Sequence, residues 1–180
     1  MKEMQFMKTV TRMAGICGLF IIALAHPVRC QEVRTIFLVR HAEKLSDAYD
    51  SLLSPQGHRR AQCLANSLAD AQVEQIFTSD LQRTQQTAAP LAMRLRLKPV
   101  IVPFGKPDNL VEAVRSAKSK NVLVVWHGGT LPRILHDLGG PEVMPIAESE
   151  YDRFFVLTIG RSNDHPDTRF TATRYCDCAK

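Results

Sequence analysis

Two of the six histidines, His41 and His127, each come at the end of an apolar, β-rich run. Val33 to Val39 (VRTIFLV) leads into Arg40 and His41, and Asn121 to Trp126 (NVLVVW) leads into His127, which Gly128 and Gly129 follow. A third segment, Ser79-Asp80-Leu81-Gln82-Arg83-Thr84, puts Arg83 in the first turn of an expected helix behind another short strand. An imidazole works as a nucleophile or proton carrier near neutral pH. A guanidinium grips tetrahedral oxyanions through two parallel N–H groups. A glycine turn opening a helix adds backbone N–H groups at the same place. Two imidazoles, two guanidiniums and a helix end together suit one ligand, a dianionic tetrahedral group. His26, His58, His136 and His165 have no such company and are read as surface or internally satisfied residues.

Strands that end in chemistry need helices to carry the chain back. Ser54-Pro55 is a helix start, with Ser as cap and Pro in the first turn. Ala61, Leu64, Ala65 and Leu68 then follow at helical spacing. Gln75 to Thr78 reads as a short strand. Ser79-Asp80 opens a helix to about Leu95 that Pro90 should kink. Pro99 to Phe104 reads as a strand. Asp108 is positioned to cap a helix whose Leu110, Ala113, Val114 and Ala117 share a face. Leu131, Ile134, Leu135 and Leu138 form another stripe, ended by Gly139-Gly140-Pro141. Arg153 to Ile159 and Arg169 to Tyr175 read as closing strands around a turn-rich loop. Strands alternating with helices predict an α/β fold, three-layer α/β/α, around a central, mostly parallel sheet. In such sheets ligands bind at the carboxyl ends of the strands, where His41 and His127 fall.

The chain has 180 residues, with 23 basic and 18 acidic side chains. That suits one domain with a real core. The basic excess sits mainly at the front, with Lys2, Lys8, Arg12 and Arg29 against Glu3 alone. The rest is nearly balanced, which removes the support for a nucleic-acid partner despite a pI near 9.1. A basic start followed by the apolar run Met13 to Ala25 reads as a signal peptide over residues 1–30, too short to span a bilayer as a helix. Cleavage is expected after Ala25 or after Cys30, leaving a single domain over 31–180. Membrane contact is expected only through that segment before cleavage, and the mature protein is expected to be periplasmic or secreted. Export would permit a disulfide among Cys30, Cys63, Cys176 and Cys178, with the pairing open. Cys63 lies on the apolar side of its helix and reads as a core residue. Cys176-Asp-Cys178 has no second pair at ligand spacing, so no metal site is expected.

Leu38-Val39-Arg40-His41-Ala42-Glu43-Lys44 resembles the Arg-His-Gly signature of the histidine phosphatase superfamily, which includes the cofactor-dependent phosphoglycerate mutases. Leu53-Ser54-Pro55-Gln56-Gly57 with Arg60-Ala61 is similar to the helix start that follows it in that family. Ser79 to Ala88 resembles its second-arginine segment, and Val124-Val125-Trp126-His127-Gly128-Gly129 its second histidine. The four segments occur in the family's order across residues 33–140. The resemblance implies a phosphoglycerate mutase-like fold and no cofactor. It makes His41 the nucleophile that takes the phosphoryl group, with Arg40, Arg83 and His127 holding the oxygens. Ala42 replaces the usual glycine, and Gly128 stands where the other branch has an aspartate. The family's acid, a carboxylate between the second Arg and the second His, can here only be Glu112 or Asp108, and Glu112 is the nominee.

The function expected is hydrolysis of a phosphomonoester, on a small phosphorylated molecule or an envelope phosphate, through phospho-His41. The alternatives are a small phosphohistidine or phosphoprotein phosphatase, and a phospholigand-binding protein without a working acid. A mutase is disfavoured, because mutases carry extra loops that retain a bisphosphate.

Overall fold

The computed structural model describes residues 33–162 and 165–176; the segment 1–30 and Cys178 lie outside them. The elements run β1 (Arg34–Arg40), α1 (Pro55–Ser67), β2 (Gln75–Ser79), α2 (Gln82–Leu95), β3 (Val100–Val102), α3 (Pro107–Ser116), β4 (Asn121–Trp126), α4 (Leu131–Asp137), β5 (Arg153–Ser162) and β6 (His165–Arg174). They build one six-stranded sheet in the order β3-β2-β4-β1-β5-β6. The first four strands are mutually parallel, while β5 and β6 are antiparallel to their neighbours. β1 and β4 lie side by side with Arg40 opposite Trp126, so His41 and His127 leave the sheet at the same edge.

The pleat divides the core in two. Ile36, Leu38, Val122, Val124 and Trp126 face one side with Leu110, Val114, Leu131 and Ile134 from α3 and α4. Val39, Leu123 and Val125 face the other with Leu64, Ala65, Ala88 and Leu91 from α1 and α2. Strands apolar at every position are those buried on both faces, and this is the three-layer α/β/α arrangement. No helix among the described residues is long and apolar enough to cross a membrane.

Several local expectations need correcting. Ser54 caps α1 through Gly57 N–H at 3.1 Å, as its sequence suggests. Ser79-Asp80 does not cap α2; the first helical amide, of Gln82, donates instead to Asp50 Oδ1 at 2.6 Å from a distant loop. Asp108 does not cap α3 either. Lys106 holds the cap position, and Asp108 pairs with Arg133 at 2.5 Å on the surface. β3 is only three residues long. The expected turn-rich loop near the end is mostly ladder, because β5 and β6 pair continuously from Arg153↔Arg174 to Ser162↔His165. Cys63 is half-buried and bridged to Cys176, with Cα atoms 6.0 Å apart, rather than packed in the core.

Candidate active site

A cavity of about 280 Å³ lies at the carboxyl ends of β1, β2 and β4. Arg40, His41, Arg83 and His127 all line it, with Gly128, Lys44, Asp47, Tyr49 and Phe104. Arg40, His41 and His127 are only 7%, 4% and 6% exposed. β1 delivers Arg40 and His41, whose amide donates to Trp126 O at 2.8 Å across the parallel ladder. The next amide, Ala42 N–H, donates to buried Thr87 Oγ1 at 2.9 Å, tying the end of β1 to α2.

His41 Nδ1 lies 2.8 Å from Ala42 O. A carbonyl only accepts, so Nδ1 carries the proton and Nε2 keeps its lone pair. Burial pushes the His41 pKa down to about 3, with the charges of Arg40, Arg83 and Lys44 adding to the effect against the Ala42 hydrogen bond. The ring is therefore neutral at physiological pH. The His127 ring centroid lies 5.3 Å away. Its pKa falls to about 2, first through burial and then through His41, Arg83 and Arg40.

The two arginines are held by backbone carbonyls. Arg40 NH1 donates to Ala147 O, Glu148 O and Glu150 O at 2.8, 2.9 and 3.1 Å, and its guanidinium lies 4.2 Å from the centre of the Tyr151 ring. Arg83 NH1 donates to Tyr49 O at 2.6 Å, and its NH2 to His127 Nδ1 at 3.3 Å. The Nε–H groups of Arg40 and Arg83 are buried with no hydrogen-bond partner. An unpaired buried donor is costly, and a ligand oxyanion is the group that would satisfy both. Gly128 allows the approach of Arg40: a Cβ there would meet Arg40 Cδ and Nε at 3.2 Å.

Two sequence expectations fare differently here. The helix end after His127 offers little, because the Thr130 and Leu131 amides both donate to His127 O. Glu112 lies outside the cavity. It is exposed on α3 and, like Asp108, lines the groove between α3 and α4 with Arg115, His136 and Asp137. The helical phase that buries Leu110, Val111 and Val114 turns Glu112 to that groove. The carboxylate that does line the cavity is Asp47, and it is bound to Lys44 Nζ at 2.6 Å. Lys44 holds the Asp47 carboxyl below its ordinary range by hydrogen bond and charge, which leaves it ionised and a poor proton donor. Glu43, two positions after His41 in sequence, is spent on Arg60, whose Nε donates to it at 2.9 and 3.0 Å.

Fold and site together define an α/β protein whose parallel strands present a two-arginine, two-histidine oxyanion pocket. Residues 36–103 match the profile of the histidine phosphatase superfamily (branch 1). A probable phosphoglycerate mutase, GpmB of Yersinia enterocolitica, is 40% identical over 82 residues, which is 42% of this chain and 38% of that protein. The chain thus matches well under half the length of that curated relative. Among solved structures, the protein histidine phosphatase SixA complexed with tungstate superposes with a TM-score of 0.59 at 16% identity, covering 78% of this chain and 96% of that one. A putative alpha-ribazole-5'-P phosphatase from Escherichia coli K-12 gives 0.60 at 16% identity, over 78% and 97%. A putative SixA from Agrobacterium tumefaciens gives 0.56 at 20% identity, over 77% and 98%. Over residues 36–103 the chain is thus similar to the histidine phosphatase superfamily (branch 1), and it shares the fold of these solved structures.

Proposed function

We propose that the protein hydrolyses phosphomonoesters through a phosphohistidine on His41. The observation that carries this is the His41 tautomer: Nδ1–H is tied to Ala42 O, so the free lone pair is on Nε2, in a cavity with two guanidiniums. Nε2 attacks phosphorus, the P–O bond to the leaving group breaks, and the transferred oxygens meet Arg40, Arg83 and His127. Water then attacks the phosphohistidine, releasing phosphate and returning His41 to its starting form. Catalysis here is positioning and charge compensation, and it calls on no cofactor or metal.

The substrate is a phosphorylated small molecule or an envelope phosphate. Structural neighbours, among them an alpha-ribazole phosphatase and a glucosyl-3-phosphoglycerate phosphatase, support the first class. One feature favours a second reading, a phosphohistidine or phosphoprotein phosphatase. The cavity's carboxylate is ion-paired and ionised, so good leaving groups gain most, and a phosphoramidate's imidazole is one. Two SixA chains also align over 96% and 98% of their length. Export to the periplasm or medium is part of the proposal. The basic, then apolar, start of the chain and the Cys63–Cys176 bridge both support it.

Rapid quench should trap an acid-labile, base-stable phosphoryl group on the peptide that contains Leu38-Val39-Arg40-His41. His41→Ala should lose several orders of magnitude in turnover, as removal of a nucleophile commonly does. Label on a serine, an aspartate or His127, or wild-type turnover in His41→Ala, would refute the mechanism. A trapped label on phenyl phosphate would also exclude a mere phospholigand binder.

A further inference from the structure

His127 holds its proton on the wrong side for an oxyanion. A guanidinium cannot accept, so the Arg83 NH2 contact at 3.3 Å requires a lone pair on His127 Nδ1. The neutral ring then carries its proton on Nε2, which donates to Ser79 Oγ at 2.9 Å. Ser79 Oγ also accepts from Leu81 N–H at 3.2 Å. Its own proton goes to Thr84 Oγ1 at 2.9 Å, and Thr84 in turn donates to Leu81 O at 2.9 Å or Ser79 O at 3.1 Å. Ser79 and Thr84 are both fully buried. The contacts on either side of the ring fix its tautomer, and Nδ1 meets an incoming oxyanion with a lone pair.

We infer that Ser79 is a positioning residue that lets His127 exchange its Nε2–H tautomer for the Nδ1–H tautomer when a tetrahedral oxyanion enters. This rests on the phosphate-site reading above. In the exchanged state Nδ1–H donates to the ligand oxygen and Nε2 becomes an acceptor. The Ser79 hydroxyl turns from Thr84 to donate to Nε2, and the Thr84 hydroxyl turns to donate to Ser79 Oγ. Leu81 O keeps the Thr84 and Gln85 amides at 3.1 and 3.4 Å, so the Thr84 proton can leave it without orphaning the carbonyl. One proton leaves Nε2 and one arrives on Nδ1 by exchange with water, so the net charge does not change. The other route, a doubly protonated ring, would put a cation beside Arg40 and Arg83 and opposite His41, with the apolar Phe104 ring packed against it at 4.5 Å between centroids. A hydroxyl suits this task because it can both donate and accept; alanine can do neither.

The test is the ¹⁵N–¹H spectrum of the His127 ring in full-length protein, with and without tungstate, beside tungstate titrations of wild type, Ser79→Ala and Ser79→Thr. Wild type should show Nε2–H alone and Nδ1–H with tungstate. Ser79→Ala should bind tungstate about tenfold more weakly, the scale of one lost buried hydrogen bond, and should not complete the exchange; Ser79→Thr should restore it. Tungstate bound to wild type with Nε2–H retained, or with both nitrogens protonated, overturns the inference and leaves the phosphatase reading standing. Unchanged affinity in Ser79→Ala also overturns it. If tungstate does not bind wild type at all, the phosphate site and this inference fall together.

Discussion

The histidine pair makes a prediction about acid stability that needs no substrate. An imidazole titrates near 6.5 when exposed in the unfolded chain, whereas His41 and His127 are held down to about 3 and about 2 by burial first and by the neighbouring basic groups after it. Below pH 6.5 the unfolded state therefore binds two protons that the folded state refuses, and stability falls as the pH falls. Between pH 6 and 5 each histidine should contribute a loss of about 1 kcal/mol, so the pair contributes about 2 kcal/mol. The window lies above the range where most carboxylates titrate. The assay is urea unfolding at pH 6.0 and 5.0 at fixed ionic strength, on wild type, His41→Gln, His127→Gln and the double variant. Each single variant should remove roughly half of the pair's pH-dependent loss, and the double variant nearly all. If the double variant loses as much stability as wild type between those pH values, the two rings are not held neutral by the fold, and the nucleophile argument loses its electrostatic basis.

Gly128→Ala should push the Arg40 guanidinium by a few tenths of an ångström, because a Cβ would stand 3.2 Å from its Cδ and Nε while three carbonyls fix NH1. A loss in kcat/KM of about tenfold with little change in Tm is expected, and steady-state kinetics beside a thermal melt would show it; wild-type kinetics would mean that Arg40 is not tightly placed. Reducing the Cys63–Cys176 bridge, which closes a loop of 113 residues, should cost roughly 4 kcal/mol. Tm should fall by about 10 °C in Cys63→Ser or under reductant, and an unchanged melt would refute the bridge.

The sequence showed most where one residue type in one place has one physical use. Two β-rich runs with mostly apolar side chains had to be buried strands, and a polar histidine at the end of each had to lie at the sheet edge. Arg83 was legible because the first turn of a helix behind a strand faces the same edge. The misses share a cause: the partner was backbone or was distant. The Arg40 clamp uses the carbonyls of Ala147, Glu148 and Glu150, and carbonyls carry no residue identity. The Asp50 cap on α2 reaches across 32 positions. Glu112 stands between the two motifs in sequence, but its helical phase follows Leu110 and Val114, which the core claims first. The Cys63–Cys176 pairing needed three dimensions, since a thiol on an apolar helix side looks like any small core residue.

The loop after His41 also bears on how such a protein diversifies. Lys44 and Leu53 form an isolated antiparallel bridge, and Leu45 N–H donates to Leu52 O at 2.8 Å, so the neck of the 45–52 excursion is closed. Below the neck, Ser54 N–H donates to Glu43 O at 2.9 Å, and Gly57 sits so close to that carbonyl that a Cβ would meet it at 2.2 Å. Above the neck most side chains are exposed, and Asp47, Ala48 and Tyr49 reach the cavity. Exposed positions between 45 and 52 can therefore change in character while the neck keeps its place, provided that Tyr49 O still holds Arg83 and Asp50 still caps α2. One short loop thus carries two duties, shaping the mouth of the cavity with its exposed side chains and steadying Arg83 with two inward contacts.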